Sequence, residues 1–477
     1  MLFSSIVFLF FFLPITLLGY YLIPEKYKNY WLLFTSLIFF AWGGVSETLI
    51  LILSIILNYY FGLAIQKHLD SRKAYRLLFL GIAINLLTLG VFKYANFFIE
   101  NLNEIFFFVN IPTLKPTHIA LPVGISFYTF HSLSYLIDIY KKKSSAQRNI
   151  FDLSLYICMF SQLIAGPIIR YSDIWKQLKE RTHTTVKFAS GIERFLIGLG
   201  KKVLLANTFA RIADELFAEN VNDLTAPTAW LGLICYTLQI YYDFAGYSDM
   251  AIGLGRMFGF EFMENFNFPY ISKSVTEFWR RWHISLSSFF RDYVYIPLGG
   301  NRISNQRTYI NLLIVFFLTG FWHGASWTFI LWGLFYGFFM VIERLGFSKI
   351  LDKVWSPIAN LYTLLVVMFA WVLFRSDDLS YAISYWKAMF NFNITQNQIG
   401  IFLNYTDKES YLTLLIGILG ALGFFNIFIP IIHRYSTSKF FTFSFNTISI
   451  LFYATILIVC SMYLVSGTYN PFIYYRF

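Results

Sequence analysis

A run of 34 residues, from Tyr309 to Ile342, contains no Asp, Glu, Lys or Arg. One crossing of a bilayer needs about 20 residues, so this run is too long for a single straight span. Gly320 and Gly324 lie on either side of His323 and predict that the run breaks into two pieces there. His323 is the only residue of the run that titrates near neutral pH. An ionisable residue inside a membrane segment is by default a candidate functional residue.

Composition extends the membrane assignment to the whole chain. Apolar residues make up 57% and charged residues only 13% of the 477 residues, and the mean hydropathy is +0.58. This excludes a soluble multidomain protein and predicts an all-α polytopic membrane protein. The net charge of +11 resides in short loops between apolar runs. Such loops suit the cytoplasmic face and its anionic lipid, and no solvent-facing basic domain is left to bind nucleic acid.

The apolar runs set the number of helices that we expect. The first run, within residues 1–26, lacks a basic leader and a cleavage site, which predicts a retained first span. We expect roughly 11 to 13 membrane-embedded helices, some of them partial or re-entrant, in one domain of residues 1–477 with a catalytic core near 118–345. Besides 309–342, the later apolar runs fall near residues 31–42, 48–65, 77–99, 118–140, 151–169, 192–205, 227–242, 358–374, 411–432 and 443–466.

Loop charges give a topology with one internal conflict. The loops 67–76, 141–148 and 170–187 are all basic, yet the last two flank a single apolar run, 151–169. Both can be cytoplasmic only if 151–169 re-enters the membrane. The more acidic segment 375–410 is then the best candidate for the outer face.

His323 has two interpretations. In catalysis, a neutral imidazole in a dry site accepts a proton from a hydroxyl nucleophile and later returns it to a leaving group. In a structural role, the imidazole is hydrogen-bonded between helices. The neighbouring Gly324 permits close approach of a substrate, which favours the catalytic role.

A second candidate site lies around His283. The spacing of Arg280, His283, Ser287 and Arg291 predicts that these polar groups share one face of an interfacial or re-entrant helix. Arginines at this face, together with Arg281, would cradle a phosphate, and His283 would orient or polarise an acyl carbonyl. The alternative is structural: Glu277 pairs with Arg280 and Arg281, and the helix binds lipid headgroups.

The stretch YYDFAGYSDMAIGLGRMFGF, residues 241–260, contains Asp243 and Asp249. Two carboxylates at this spacing suggest a metal or an acid/base pair. The preferred interpretation is that they cap helix starts or pair with the arginines near His283. The three cysteines lie far apart in apolar segments without a CxxC motif, so neither a disulfide framework nor a thiolate metal site is indicated.

Several long motifs occur in one order along nearly the whole chain: LPVGISFYTFHSLSYLIDIY (121–140), QLIAGPIIRY (162–171), QIYYDFAGYSDMAIGLGRMFGF (239–260), FWRRWHISLSSFFRDYVYIPLGGNR (278–302), GFWHGASWTFILWG (320–333) and PFIYYRF (471–477). With them the sequence resembles the membrane-bound O-acyltransferases, in particular the bacterial alginate and peptidoglycan O-acetyltransferase branch. One departure is His131, where many relatives have Gln.

The resemblance implies a multi-helix fold around a funnel or tunnel. It implies His323 as the active-site histidine, His283 as the second motif histidine, and Trp322, Asp243 and Asp249 as candidates for the tunnel wall. It also implies acyl transfer from a cytoplasmic thioester, with acetyl-CoA as donor and no permanently bound cofactor. The acceptor would be an extracytoplasmic glycan, commonly reached through a separate periplasmic transferase.

Residues and resemblance together predict a multi-pass enzyme of the bacterial inner membrane that acetylates a polysaccharide such as peptidoglycan or alginate. His323 would act as the base or stabilise developing charge, and Arg280, Arg281 and Arg291 would attract the phosphates of CoA. Two alternatives stay open. One is a D-alanyl transferase that takes its acyl group from a carrier protein, and the other is a proton-coupled transporter or flippase in which His323 relays protons.

The segment PFIYYRF, 471–477, is too short for a domain and too apolar to extend into water, so we expect it to fold back into the protein. Tyr474 or Tyr475 would then serve as a transient acyl acceptor near His323. The alternative is that these tyrosines form an interfacial anchor.

Replacing Tyr474 and Tyr475 with Phe separates these two roles, because Phe keeps the ring and removes only the hydroxyl. An acyl relay predicts that Tyr474→Phe, Tyr475→Phe or the double variant abolishes transfer, measured as acetylated glycan at matched protein level. Full transfer by all three variants would leave the segment with a packing role alone.

Overall fold

The fold is described from a computed structural model, which covers residues 1–117, 119–163, 166–393, 402–403, 405, 407–427, 439–467, 469–471 and 473. Within these residues every regular element is a helix. Contacts group the chain into two compact units that alternate along the sequence. The first comprises Met1–Gly191, Ala251–Met263 and Gly324–Ser326, and the second comprises Ile192–Met250, Glu264–His323 and Trp327–Phe477.

The first unit is built from mostly short or interrupted helices. Phe8–Phe12 and Gly90–Tyr94 are π-helical turns inside longer helices. The α-helices are Leu13–Leu22, Lys28–Ala41, Val45–Lys67, Arg72–Leu89, Ala95–Phe108, Ile125–Tyr140, Ile150–Cys158, Phe160–Leu163 and Tyr171–Ile174.

The second unit contains the residues around both motif histidines. Its π-helical turns are Lys201–Ala206, Arg291–Tyr295 and Glu343–Phe347. Two helices, Thr185–Gly200 and Ala226–Met257, carry residues of both units. The remaining α-helices are Asn207–Ala218, Val275–Arg281, Ile284–Phe290, Asn305–His323, Trp327–Ile342, Ser348–Leu351, Ser356–Arg375, Leu379–Ala388, Lys408–Ala421 and Lys439–Val465.

Five of the described helices are long and apolar enough to cross a membrane: Val45–Lys67, Arg72–Phe108, Trp327–Leu351, Ser356–Arg375 and Phe443–Val465. Other apolar helices are shorter, as expected for partial helices. Ile150–Cys158 has nine residues and a length of about 14 Å, roughly half of the hydrocarbon core. Such a short helix fits the predicted re-entry of 151–169.

The long apolar run breaks where the glycines predicted. One helix, Asn305–His323, ends at His323, and the next begins at Trp327. Gly320 has a different role from the one expected, because it packs directly against the second helix. A Cβ on Gly320 would lie 2.3 Å from the carbonyl oxygen of Phe329, and one on Gly333 would lie 2.2 Å from that of Phe316. Small residues at this crossing let the two backbones touch and set the position of His323.

The predicted single helical face from Arg280 to Arg291 is wrong. The helix Val275–Arg281 stops, and His283 adopts a left-handed conformation with φ +44° before Ile284–Phe290 begins. A residue in this conformation cannot continue a right-handed helix, so the spacing of three and four residues no longer places His283 on the same side as the arginines. His283 is buried, whereas Arg280 and Arg291 are exposed.

A buried carboxylate fixes the start of the helix that leads to His283. Glu343 is 2% exposed and accepts hydrogen bonds from the backbone N–H groups of Val275 and Thr276 at 2.6 and 3.0 Å. Ser274 accepts a further bond from the N–H of Glu277. Helix starts leave such N–H groups without partners, and a negative charge there is stabilised by the helix dipole.

The glycine contact can be tested with Gly333→Ala. The added Cβ would press on a backbone oxygen that cannot rotate away, so we expect a loss of about 1–3 kcal/mol of stability, seen as a lower midpoint of thermal unfolding in detergent.

Gly90→Ala is the matched control, since a Cβ on Gly90 meets no atom within 4 Å and the change favours a helix. If Gly333→Ala unfolds at the same temperature as Gly90→Ala, the backbone contact does not set the helix crossing.

Candidate active site

Both motif histidines line one small cavity of the second unit. The cavity is nearly filled by its own walls and leaves a free volume of about 10 Å³. His283 is 1% exposed and His323 is 6% exposed, so both imidazoles are almost completely shielded from water. The other lining residues are apolar or aromatic: Ile240, Phe244, Trp282, Trp332, Trp371, Phe374 and Ile473. A free volume of this size holds about one water molecule, so an acetyl group fits between the histidines only if the walls move apart.

His323 lies at the end of its helix, surrounded by aromatic rings. Its ring centroid is 4.8 Å from that of Trp322, 4.9 Å from that of Trp332 and 5.2 Å from that of Phe374. In such surroundings a hydrogen bond to a reacting group is stronger than in water. The C-terminal end of a helix also favours a positive charge, which stabilises an imidazole that has just accepted a proton.

His283 is held in one tautomer by Asn265. The Nδ1 atom lies 3.1 Å from Oδ1 of Asn265. That oxygen also accepts the backbone N–H of Ser285 at 3.2 Å, so it is the acceptor and Nδ1 must carry the proton. The Nε2 atom then presents a lone pair, and it has no hydrogen-bond partner among the described residues. His283 lies outside the five candidate spans, and burial lowers its pKa to about 3, which keeps the ring neutral.

Asn265 is a site residue that sequence reasoning missed. It is 1% exposed, and its amide donates to Oγ of Ser248 at 3.0 Å while its Oδ1 accepts from Oγ of Ser285 at 2.8 Å. Its backbone oxygen accepts the N–H of Ile284 at 2.9 Å. Asn265 therefore supports both the ring and the backbone on either side of the break. The sequence shows it as one of two Asn residues, with Asn267, in an aromatic loop soon after the 239–260 motif.

The prediction for Asp243 is wrong, because Asp243 neither caps a helix nor pairs with the arginines near His283. It lies inside the helix Ala226–Met257, where its Oδ1 is 2.6 Å from Nζ of Lys202. Its Oδ2 accepts the backbone N–H of Ile473 at 3.0 Å. Asp243 thus contacts a residue of the cavity wall without lining the cavity itself.

The prediction for Asp249 is also wrong, because its partners are not the arginines near His283. Its carboxylate lies 2.6 Å from both Nη2 of Arg194 and Nζ of Lys201. The ring of Trp322 lies 4.8 Å from that of His323 and 6.2 Å from that of His283, centroid to centroid. Trp322 therefore packs beside both histidines, and its place in a tunnel wall stays a prediction.

Two of the three candidate phosphate-binding arginines share a second, larger groove. Arg280 and Arg291 line a space of about 630 Å³ together with Arg344, which the sequence did not single out. Arg291 also pairs with Asp292 at 2.7 Å. Arg281 does not line the groove and pairs with Glu277 at 2.8 Å. The polar groups that accompany the arginines are those of Thr276, Ser287, Ser288, Tyr295 and Thr319.

Among the described residues after the last helix, 469–471 and 473 pack into the second unit, so the predicted return of the segment is confirmed for them. The carbonyl oxygen of Pro471 accepts from Nζ of Lys202, and Ile473 is 8% exposed and lines the histidine cavity. Tyr474 and Tyr475 lie outside the described residues, so their role as an acyl relay stays a prediction.

His131, the remaining histidine of the sequence motifs, belongs to the first unit. It is 0% exposed, and its Nδ1 lies 3.3 Å from the carbonyl oxygen of Ile157. These contacts are those of a histidine packed in a helical core.

Comparison with known proteins agrees with the motifs. Residues 126–376 match the model of the MBOAT, membrane-bound O-acyltransferase family. The chain is 49% identical to the probable alginate O-acetylase of Pseudomonas aeruginosa over 83% of this chain and 76% of that protein. It is 36% identical to the peptidoglycan O-acetyltransferase of Helicobacter pylori over 86% of this chain and 82% of that protein.

A more distant relative is the teichoic acid D-alanyltransferase of Bacillus subtilis, with 30% identity over 54% of this chain and 67% of that protein. All three relatives carry names of acyl-transferring enzymes, and the first two cover most of this chain. The resemblance inferred from the motifs is thereby confirmed. The chain is a membrane acyltransferase and belongs to the membrane-bound O-acyltransferase family.

Proposed function

We propose that the protein transfers acetyl groups from cytoplasmic acetyl-CoA across the bacterial inner membrane to the hydroxyl groups of an extracytoplasmic polysaccharide, through a periplasmic partner transferase. The names of the relatives with 49% and 36% identity support an alginate-like or peptidoglycan acceptor. The observation that carries the proposal is that two buried histidines share one small, largely aromatic cavity.

The two imidazoles suit proton transfer during acyl transfer. A hydroxyl nucleophile must lose its proton as it attacks the thioester carbonyl, and the departing thiolate must gain one. His323 is the proposed base, in a position where the helix end stabilises its protonated form. The chemistry requires no metal or bound cofactor, since the thioester is already an activated acyl group.

His283 has a narrower role than the sequence suggested. With Nδ1 donating to Asn265, its Nε2 is an acceptor. An acceptor nitrogen cannot polarise a carbonyl, since that requires a donated proton. It can instead accept the proton of the attacking hydroxyl or hold that hydroxyl in line. We therefore propose that His283 contacts the attacking hydroxyl rather than the oxygen of the acyl group.

The arginine groove is the proposed site for the phosphates of CoA. Arg280 lies at the end of the helix Val275–Arg281, and Arg291 and Arg344 lie at the same groove. The planar guanidinium group binds phosphate oxygens in a bidentate manner. The groove's free volume of about 630 Å³ suits a nucleotide portion, whereas the histidine cavity, with about 10 Å³, would admit the acetyl group only after its walls move.

One alternative retains a specific observation in its favour. The 30% identity to a teichoic acid D-alanyltransferase supports a donor held on a carrier protein. Purified enzyme supplied with radiolabelled acetyl-CoA or with an aminoacylated carrier protein distinguishes the two. Label entering the polymer only from the carrier would replace the acetyl-CoA proposal.

His323→Ala should lower acetyl transfer on the order of 10²-fold or more, because a positioned base contributes about that much. His283→Ala should have an equal or milder effect. The measurement is acetylated glycan formed per amount of inserted protein.

His131→Gln is the matched control, since it changes a buried histidine of the first unit and should keep activity. If His323→Ala transfers acetyl as well as His131→Gln does, His323 is a structural residue.

Arg280→Ala and Arg291→Ala should raise the KM for acetyl-CoA by more than they lower kcat, because a phosphate contact is remote from the reacting carbon. Arg281→Ala should leave the KM unchanged, because Arg281 pairs with Glu277 and does not line the groove.

Steady-state kinetics with acetyl-CoA as the varied substrate measures both constants. A fall in kcat at constant KM for Arg280→Ala and Arg291→Ala would place these arginines at the reacting groups instead of at the donor phosphates.

A further inference from the structure

Lys202 and Asp243 form an ion pair deep inside the second unit. Their side chains are 1% and 3% exposed, and Nζ lies 2.6 Å from Oδ1. The two helices that carry them touch through glycine: a Cβ on Gly198 would lie 2.5 Å from the carbonyl oxygen of Gly246. Burying two charges is unfavourable unless further polar contacts complete both groups. The pair therefore needs an explanation beyond helix packing.

The partners of the pair supply that explanation. Lys202 has three N–H donors, and they reach Asp243, Oδ1 of Asn207 at 2.9 Å and the carbonyl oxygen of Pro471. Asp243 uses its second oxygen to accept the backbone N–H of Ile473 at 3.0 Å. The buried charges are thus satisfied by the backbone of the 469–473 segment.

The same segment has two further anchors before it reaches the ion pair. The hydroxyl of Tyr469 donates to Oδ2 of Asp214 at 2.8 Å. The amide of Asn207 donates to Oδ1 of Asn470 at 3.2 Å. Four successive contacts therefore lead to Ile473, whose side chain lines the cavity with His283 and His323.

We propose that the Lys202–Asp243 pair is a latch that holds the 469–473 segment in place, so that Ile473 forms part of the wall of the histidine cavity. Both residues are then positioning residues for acyl transfer, and neither touches the reacting atoms. The effect on catalysis rests on the proposed acetyl transfer, whereas the effect on the segment is independent of it.

The adjacent lysine provides a matched control. Lys201 also forms an ion pair, with Asp249 at 2.6 Å, but its side chain is 28% exposed. Asp249 keeps a second cationic partner, Arg194, when Lys201 is changed. Lys201→Met therefore removes a charge one residue away from Lys202 without taking a donor from Pro471.

The test compares Lys202→Met, the double variant Lys202→Met/Asp243→Leu and Lys201→Met in the full-length protein. Each single change at the buried pair leaves one charge uncompensated, so Lys202→Met should lower the amount of inserted protein. The double variant removes both charges and should restore it. Hydrogen exchange of the peptide that contains Ile473, and kcat and KM with acetyl-CoA, are then measured.

For the double variant we expect exchange at Ile473 to rise about tenfold or more, because a charge-assisted hydrogen bond is lost. We also expect kcat to fall about tenfold or more at unchanged KM, because the acyl chamber loses part of its wall while the arginine groove is untouched. Lys201→Met should match the wild type in both measurements.

Ile473→Pro keeps both charges but deletes the donated N–H and also replaces the side chain in the cavity wall. Ile473→Ala shortens the same side chain and keeps the N–H, so a larger fall in kcat for Ile473→Pro than for Ile473→Ala reports the lost hydrogen bond even if the double variant fails to insert. Full kcat in the double variant, equal kcat in Ile473→Pro and Ile473→Ala, or unchanged exchange in the double variant would overturn the latch. A wild-type protein that transfers no acetyl from acetyl-CoA would refute the proposed function, and the exchange measurement would still decide whether the latch exists.

Discussion

The arrangement of the histidine cavity depends on the hydrogen bond between Asn265 and Nδ1 of His283. Away from water, a polar group without a partner costs more free energy than most side-chain contacts return, so the few buried polar groups here specify one arrangement. Asn265 holds the imidazole, the loop and the start of the following helix with one side chain and one backbone oxygen. The tautomer of His283, and with it the direction of proton transfer, follows from that one amide.

The need of buried polar groups for hydrogen-bond partners also connects features that are far apart in the sequence. Lys202 and Asp243 satisfy each other and the backbone of the 469–473 segment, and Glu343 satisfies the start of the helix that precedes His283. In each case an ionised side chain binds backbone N–H or carbonyl groups that would otherwise be buried without partners. Charged residues in this largely apolar interior thus hold segments that lead to the cavity, where Nε2 of His283 has no hydrogen-bond partner among the described residues.

Much of this could be read from the residues before any coordinates. The apolar runs predicted a helical membrane protein, Gly324 predicted the break after His323, and the aromatic character of 471–477 predicted its return into the protein. Two other expectations failed, and one residue of the site was missed, for identifiable physical reasons. The periodicity of Arg280, His283, Ser287 and Arg291 assumes an unbroken helix, which the left-handed conformation of His283 prevents. The partners of Asp243 and Asp249 lie more than forty residues away, beyond the reach of local spacing. Asn265 looks like any turn residue until its neighbours are known.

The carboxylate of Glu343 links the two segments that carry the histidines. Glu343 follows directly after the helix Trp327–Ile342, which packs on the helix of His323. Its carboxylate accepts hydrogen bonds from the first N–H groups of the helix that leads to His283. Movement of one of these histidine segments relative to the other would break the hydrogen bonds to Glu343 or separate the glycine contact. The backbone segments that carry the two histidines are therefore both fastened to one stretch, 327–343, although forty residues separate His283 from His323 in the sequence.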